Sequence, residues 1–316
     1  MFDHANPARP GVPTVAVIGT GIMGSAIARR LLREGFRVRV WNRSSEPVAA
    51  LAECGATAFA DPIDAVADAP VVLTLLPTGD AVAEVMVGRA VVDALAPGSV
   101  WAQMGTIGVE ATERFDRQVR ARRPDVAFVD APVSGSRQPA ESGQLLVLAS
   151  GPDEARSAVD PVFDAIGRAT LWVGPAGTGT RLKVVLNTWL AFEVEAAAEA
   201  AATAAALGIA PGVLAAAVGG NPVASPLATA KLAKMQAADD RADFPLAWAL
   251  KDLDLTRDAV GFDAAPVAAA IAERWRGLVE QGSGGLDVSA ARHGLDVSAA
   301  RPGLADAPPP PAEVRP

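Results

Sequence analysis

Lys183 and Asn187 stand four residues apart in the run Gly177-Thr178-Gly179-Thr180-Arg181-Leu182-Lys183-Val184-Val185-Leu186-Asn187. On a helix that spacing puts both side chains on one face. An ammonium beside an amide makes a site for a carbonyl oxygen that turns into an alkoxide. A second group is Asp130-Ala131-Pro132-Val133-Ser134-Gly135-Ser136. Proline and glycine around a serine make a rigid turn, able to present the Ser134 hydroxyl and backbone N–H groups to an anion. A third is Gly19-Thr20-Gly21-Ile22-Met23-Gly24. Its first glycine permits a tight turn, its second a close approach of backbone to a pyrophosphate, and its third tight packing of helix on strand. The helix that follows then points its N-terminus at the phosphates. Alone the spacing is weak evidence; between a strand and a helix near the start of an alternating region it is strong.

The end of the next strand bears on the cofactor. An NAD site usually carries Asp or Glu there, bonded to the ribose hydroxyls. This chain has Trp41-Asn42-Arg43-Ser44. Nothing in it repels a 2′-phosphate, Arg43 can pair with that phosphate in a fork, and Asn42 and Ser44 can donate hydrogen bonds. The expectation is NADP(H), with NAD(H) second. Leu76 and Pro77, at the end of the strand expected over residues 71–76, join the expected cofactor set.

These groups need elements to hold them. Residues 13–174 alternate short apolar runs with amphipathic stretches, which predicts an α/β fold with a mostly parallel, Rossmann-type sheet. Strands are expected over 14–18, 37–41, 56–59, 71–76, 99–103, 126–129, 144–148 and 170–173. Helices are expected between most of them, over 22–33, 81–87, 109–122 and 152–166. From 178 to 207 the chain is a nearly continuous, alanine-rich helix former without proline, and helical stretches without strands follow to about 280. The organisation expected is a disordered N-terminal arm over 1–12, an NADP-binding Rossmann domain over 13–174, and a helical substrate and dimerisation domain over 175–281 that includes the interdomain helix 178–207. Last comes a low-complexity, largely disordered tail over 282–316. That tail holds a tandem copy, Gly285–His293 followed by Gly294–Pro302, too short for a solenoid repeat.

Composition removes several chemistries. The chain of 316 residues has no tyrosine, one cysteine (Cys54) and two histidines, His4 and His293. A Tyr acid, a Cys/His zinc site and an internal disulfide are therefore excluded, and no metal is expected. Acid–base work at neutral pH falls to Lys, Asp or Glu. Only four of the 28 basic residues are lysine: Lys183, Lys231, Lys234 and Lys251. Unlike arginine, lysine can release its proton, so any of the four could serve as an acid. Lys231 and Lys234 stay unexplained, and Trp101, Trp172, Trp189 and Trp248 are taken as packing residues. The net charge of −8 argues against nucleic acid. No apolar run reaches the ~20 residues that span a bilayer. A cytoplasmic protein without a membrane partner is the expectation.

The glycine loop at 19–24, the run at 130–136, the segment at 177–187 and Lys251-Asp252-Leu253, in that order along the chain, resemble the β-hydroxyacid dehydrogenase family, which includes 3-hydroxyisobutyrate dehydrogenase. Within it, the WNR run, the stretch GSRQPAESGQL over 135–145 and Phe244-Pro245-Leu246 resemble NADPH-dependent glyoxylate/succinic semialdehyde reductases. The resemblance implies hydride transfer between nicotinamide and a small hydroxy acid or semialdehyde. By it, Lys183 is the catalytic lysine and Asn187 the amide that positions substrate. Ser134 and Gly135 grip the substrate carboxylate, and Thr106 lies by the nicotinamide and substrate. Lys251 and Asp252 close the site from the helical domain, Lys251 toward cofactor and Asp252 toward substrate, while Phe244 is a wall residue. Two positions depart from the pattern: Ser136 replaces a glycine and Gly105 replaces a serine. A homodimer or homotetramer through the helical domain is implied as well. Two other readings stay open: imine reduction on the same architecture, against which Lys183 argues, and a non-catalytic NADP-binding scaffold.

Overall fold

The computed structural model describes residues 12–295. These form two compact units, Met1–Val184 and Val185–Pro316 by chain division. In the first, β1 (Thr14–Ile18), β2 (Arg37–Trp41), β3 (Thr57–Ala58), β4 (Val71–Thr74), β5 (Val100–Gln103) and β6 (Ala127–Asp130) make one sheet. Its order is β3-β2-β1-β4-β5-β6 and every pairing is parallel. All four residues of β4 and of β5 are buried, as strands covered on both faces must be. The strand order reverses between β1 and β4, the place where doubly wound sheets bind ligands at strand C-termini.

Helices α1 (Ile22–Arg33), α2 (Ser45–Ala52), α3 (Pro62–Val66), α4 (Gly79–Val82) and α5 (Val109–Arg122) connect the strands. The stretch expected as one helix over 81–87 splits, α4 passing into a π-helical turn over Ala83–Gly88. The eight expected strands do not share one sheet. β7 (Val133–Ser134), β8 (Leu145–Ala149) and β9 (Gly167–Trp172) form a separate three-stranded sheet, with β7 antiparallel to β8. β7 follows the line of β6 along β8: Asp130, at the end of β6, bridges Ser150 antiparallel, in step with Val133 opposite Val147 and Ser134 opposite Leu146. Helices α6 (Arg137–Ser142) and α7 (Arg156–Ile166) complete this region.

Helix α8 (Thr178–Ala206) is continuous across the division of the chain. The division at Val184 keeps the first turn of α8 with the sheets, because that turn is bonded to Asp130 at the end of β6 and to Ser150 just after β8. The second unit is helical: the rest of α8, α9 (Pro211–Val218), α10 (Pro226–Gln236), α11 (Leu246–Val260) and α12 (Pro266–Glu280). Its core joins Val194 and Ala198 of α8, Leu250 and Leu253 of α11, and Ile271 and Trp275 of α12.

The expected start of the tail at 282 is wrong for the first repeat copy. Residues Ser283–Gly285 and Val288–Arg292 form 3₁₀ turns, and Val288, Ala290 and Ala291 are fully buried. Leu246 N–H donates to Leu286 O at 2.9 Å, and Val288 N–H donates to Phe244 O at 2.8 Å. The carboxylate of Asp287 binds Lys231 Nζ at 2.7 and 3.0 Å, which gives Lys231 its role. A repeated, charged and alanine-rich text read as low complexity, but one copy carries enough apolar surface and one acceptor hub to dock. Residues 1–11 of the expected arm and 296–316 of the expected tail lie outside the described residues.

Candidate active site

The glycine loop closes between β1 and α1 with each glycine under a different constraint. Gly19 has φ +98°, and an added Cβ would sit 2.7 Å from Leu75 O and 3.0 Å from Leu76 Cδ2. At Gly24 an added Cβ would lie 1.9 Å from Gly19 O. A Cβ at Gly21, by contrast, would meet nothing within 4 Å. The packing of the protein itself does not demand glycine there, and the loop surface at Gly21 is open. No carboxylate occupies the first turn of α1, so its N-terminus keeps its positive end for an anion. Thr20 is buried with its hydroxyl unpartnered, while its N–H donates to Asn42 Oδ1 at 3.1 Å. The loop therefore fits a dinucleotide. Ile22 is exposed and Met23 half-buried.

At the end of β2, Asn42 is partly committed. Its oxygen holds the loop, and its Nδ2 donates to Ser44 O at 3.2 Å. Arg43 and Ser44 are exposed, and the Ser44 hydroxyl does not cap α2. A phosphate at that strand end would thus meet Arg43 and Ser44, with Asn42 serving mainly as the loop's brace.

Leu76 is buried beside Gly19, and Pro77 is exposed. Gly105 packs so close that an added Cβ would stand 2.4 Å from Leu76 O, which accounts for glycine where serine was expected. Gln103, fully buried, clasps Gly105 from both sides: Nε2 donates to Gly105 O at 2.7 Å, and Oε1 accepts from Gly105 N–H at 3.1 Å. Oε1 also accepts from the Thr74 hydroxyl, to which the Trp101 indole N–H donates. This chain sets the backbone that carries Thr106, itself half-buried. Gln103 was not found in the sequence; a polar residue at the end of an otherwise apolar strand was its only signal.

Ser134 is half-buried on β7, and Gly135 is exposed with φ +131°. A Cβ at Gly135 would approach Leu145 Cδ2 to 2.8 Å, so both conformation and space call for glycine. Lys183 and Asn187 lie on one face of α8 and are 9% and 6% exposed. In the helical unit, Asn187 Nδ2 donates to Asp252 Oδ2, and Lys251 Nζ pairs with Asp252 Oδ1 at 2.6 Å. Asp252 thereby orients the amide of Asn187. Phe244 N–H donates to Asp287 Oδ2 at 3.2 Å. Trp101 and Trp172 are packing residues, but Trp189 and Trp248 are 64% and 40% exposed and do not pack as expected. Among the described residues, no group of three His, Cys, Asp or Glu is placed to hold a metal ion.

Two family profiles match this chain. The NAD binding domain of 6-phosphogluconate dehydrogenase matches residues 14–174, and the NAD-binding region of NADP-dependent 3-hydroxyisobutyrate dehydrogenase matches 177–294. Glyoxylate/succinic semialdehyde reductase 1 of Arabidopsis thaliana is 30% identical over 280 residues, which are 87% of this chain and 96% of that one. The chain belongs to the β-hydroxyacid dehydrogenase family. As a member it is an NAD(P)-dependent oxidoreductase of the CH–OH class, as the sequence motifs led us to expect. A structure of Mycobacterium tuberculosis 3-hydroxyisobutyrate dehydrogenase with L-serine superposes with TM-score 0.80 at 27% identity, covering 89% of this chain and 98% of that one. An imine reductase from Myxococcus stipitatus with NADP+ shares the fold, with TM-score 0.57 at 21% identity over 88% of this chain and 98% of that one. No described helix of this family member is long and apolar enough to cross a membrane.

Proposed function

We propose that this oxidoreductase interconverts a small β-hydroxy acid and its semialdehyde, of the 3-hydroxyisobutyrate, glyoxylate or succinic semialdehyde type, with NADP(H), and that Lys183 is the acid. The observation that carries the reading is the buried pair Lys183 and Asn187, one turn apart on α8. When bound, NADPH supplies the hydride. Lys183 donates a proton to the oxygen as negative charge develops there, and in the reverse direction takes it from the hydroxyl. Asn187, its amide oriented by Asp252, donates to the same oxygen. Ser134 and the turn at Gly135 receive the substrate carboxylate. Thr106, held by the Gln103 clasp, borders the reacting carbon and Phe244 forms a wall. Gly19, Thr20, Gly21, Ile22, Met23, Gly24, Leu76, Pro77 and Lys251 hold the cofactor. Arg43 and Ser44 favour its 2′-phosphate, since no carboxylate stands there.

The test is NADPH oxidation against glyoxylate, succinic semialdehyde, methylmalonate semialdehyde and a cyclic imine, each repeated with NADH. Turnover of an aldehyde with NADPH preferred is expected. Turnover of the imine alone would move the reaction to C=N bonds, and NADPH binding without any turnover would make the protein a scaffold.

The same reading includes a homodimer or homotetramer through the helical unit. Residues 200–230 contain no charged side chain, and α9 within them has no buried residue. Leu207, Ile209, Val213 and Val223 are 53%, 41%, 43% and 80% exposed. A second copy is the partner that would cover such a face. Light scattering at micromolar concentration should give at least a dimer, and Val213→Asp with Leu207→Glu should give a monomer. A monomeric parent chain would end this part of the reading.

A further inference from the structure

The buried carboxylate at the head of the serine turn has no part in the chemistry above. Asp130, the last residue of β6, is fully buried. Its Oδ2 accepts from Thr180 N–H at 2.7 Å and from the Ser150 hydroxyl at 3.0 Å, and its Oδ1 accepts from the Thr180 hydroxyl at 2.6 Å. Ser150, just after β8, in turn accepts from Gly179 N–H at 2.9 Å. The Thr112 hydroxyl of α5 lies 3.2 Å from that of Thr180.

The first amides of any helix lack partners within it. In α8 those of Gly179 and Thr180 are satisfied from the sheets, by Ser150 and Asp130, and not by a capping side chain of the helix's own first turn. A carboxylate there also lies at the favourable end of the helix dipole. Approach is tightened from the other side: a Cβ on Gly179 would lie 2.2 Å from Leu148 O. Lys183 follows Thr180 by three residues, less than one turn along the same helix.

We infer that Asp130 is a positioning residue, whose grip on Thr180 sets the place of the Lys183 ammonium relative to the turn that carries Ser134. It touches neither substrate nor cofactor; it acts through the first turn of α8. The inference rests on the reading of Lys183 as the acid. A misplacement of a reacting group by about 1 Å can cost about a hundredfold in rate.

The test compares Asp130→Asn, Thr180→Val and Thr180→Ser in the full chain, with Lys183→Ala alongside. Asn at 130 replaces one acceptor oxygen by a donor, so Thr180 N–H or a hydroxyl loses its partner. Asp130→Asn should lower kcat by about tenfold to a hundredfold, with the Kd for NADPH, read by fluorescence, within about twofold of the parent. Thr180→Val should lose kcat in the same manner, and Thr180→Ser, which keeps the hydroxyl, should restore it. Independently of turnover, hydrogen exchange of peptides covering 177–184 should speed up in Asp130→Asn, with peptides from β1 and β4 unchanged. Parent kcat in both Asp130→Asn and Thr180→Val overturns the inference, as does loss in Thr180→Ser equal to that in Thr180→Val. If Lys183→Ala turns over like the parent, the reading of Lys183 fails. The exchange pattern still decides whether Asp130 holds the helix: unchanged exchange at 177–184 refutes the grip itself.

Discussion

Replacing Asp287 by alanine should cost the helical unit far more than one lost side chain. Asp287 is fully buried, and Lys231 Nζ lies 2.7 and 3.0 Å from its two oxygens, with Lys234 Nζ at 3.7 Å. The N–H groups of Asp243, Phe244 and Ser289 donate to the same carboxylate at 3.0, 3.2 and 3.1 Å. Burial pushes the carboxyl toward its neutral form, but the hydrogen bond and charge of Lys231, with the N–H donors, outweigh it and hold its pKa below the ordinary value of 3.8. Removal leaves Lys231, 8% exposed, as a buried cation without its counter-ion. Breaking one side of a buried pair costs about 3–5 kcal/mol. At about 2–4 °C per kcal/mol, that is a fall in Tm of roughly 6–20 °C. Calorimetry on the parent, Asp287→Ala and the double variant Asp287→Leu/Lys231→Met measures it. The double variant should recover much of the loss, since it removes both charges. Phe244 loses an acceptor for its N–H, so KM for the aldehyde should rise in Asp287→Ala even well below its Tm. A Tm within about 2 °C of the parent would refute the reasoning, because no buried ammonium is left so cheaply.

Other outcomes follow from the same geometry. Lys183→Ala should lower kcat by about a hundredfold or more, as loss of an oxyanion donor does, with NADPH affinity retained; Lys183→Arg should also be poor, since guanidinium does not release its proton. Arg43→Ala should raise the KM for NADPH several-fold and leave that for NADH unchanged, and an NADH preference above about tenfold in the parent enzyme would sink the cofactor assignment. Burial raises the Asp130 carboxyl to about 6, against hydrogen bonds from Thr180 and Ser150 that pull it down. The folded state therefore binds the extra proton between about 4 and 6, and the stability this contributes is present below that window and lost as pH rises through it. Denaturant unfolding should show the gap between the parent and Asp130→Asn shifting against the parent by roughly 2 kcal/mol from pH 4 to pH 7; a pH-independent gap would contradict the raised pKa. Gly105→Ser should impair folding or activity, because its Cβ meets Leu76 O at 2.4 Å, whereas Gly21→Ala should keep its Tm and lose dinucleotide affinity.

Local pattern made much of the fold legible. Helices α1 and α5 begin and end where their apolar spacing and flanking glycines place them, and β1 and β2 where the buried runs lie. Spacing alone put Lys183 and Asn187 on one face, and both are buried. What the sequence hid are contacts whose partners lie far apart along it. Asp130 meets Thr180 fifty residues on, and Lys231 meets Asp287 fifty-six residues on. Neither pair leaves a periodicity to read. The split into two sheets was hidden for a related reason: β7 is only two residues long, and no apolar run marks it. The docked first copy of the repeat was missed because its burial depends on α10 and on Phe244, not on its own composition.

The way α8 begins has a consequence for how such a protein can change over time. Its starting point is set by main chain against main chain, Gly179 against Leu148 O, and by groups on β6 and just after β8. None of these anchors is the residue at 183. On the proposed reading of Lys183, the helix is a frame and the side chain at 183 the reagent mounted in it. A mutation there exchanges the reagent and leaves the frame where it was, so chemistry and architecture are free to drift separately. A substitution at 130, 150 or 179 does the opposite, shifting every residue the helix carries at once.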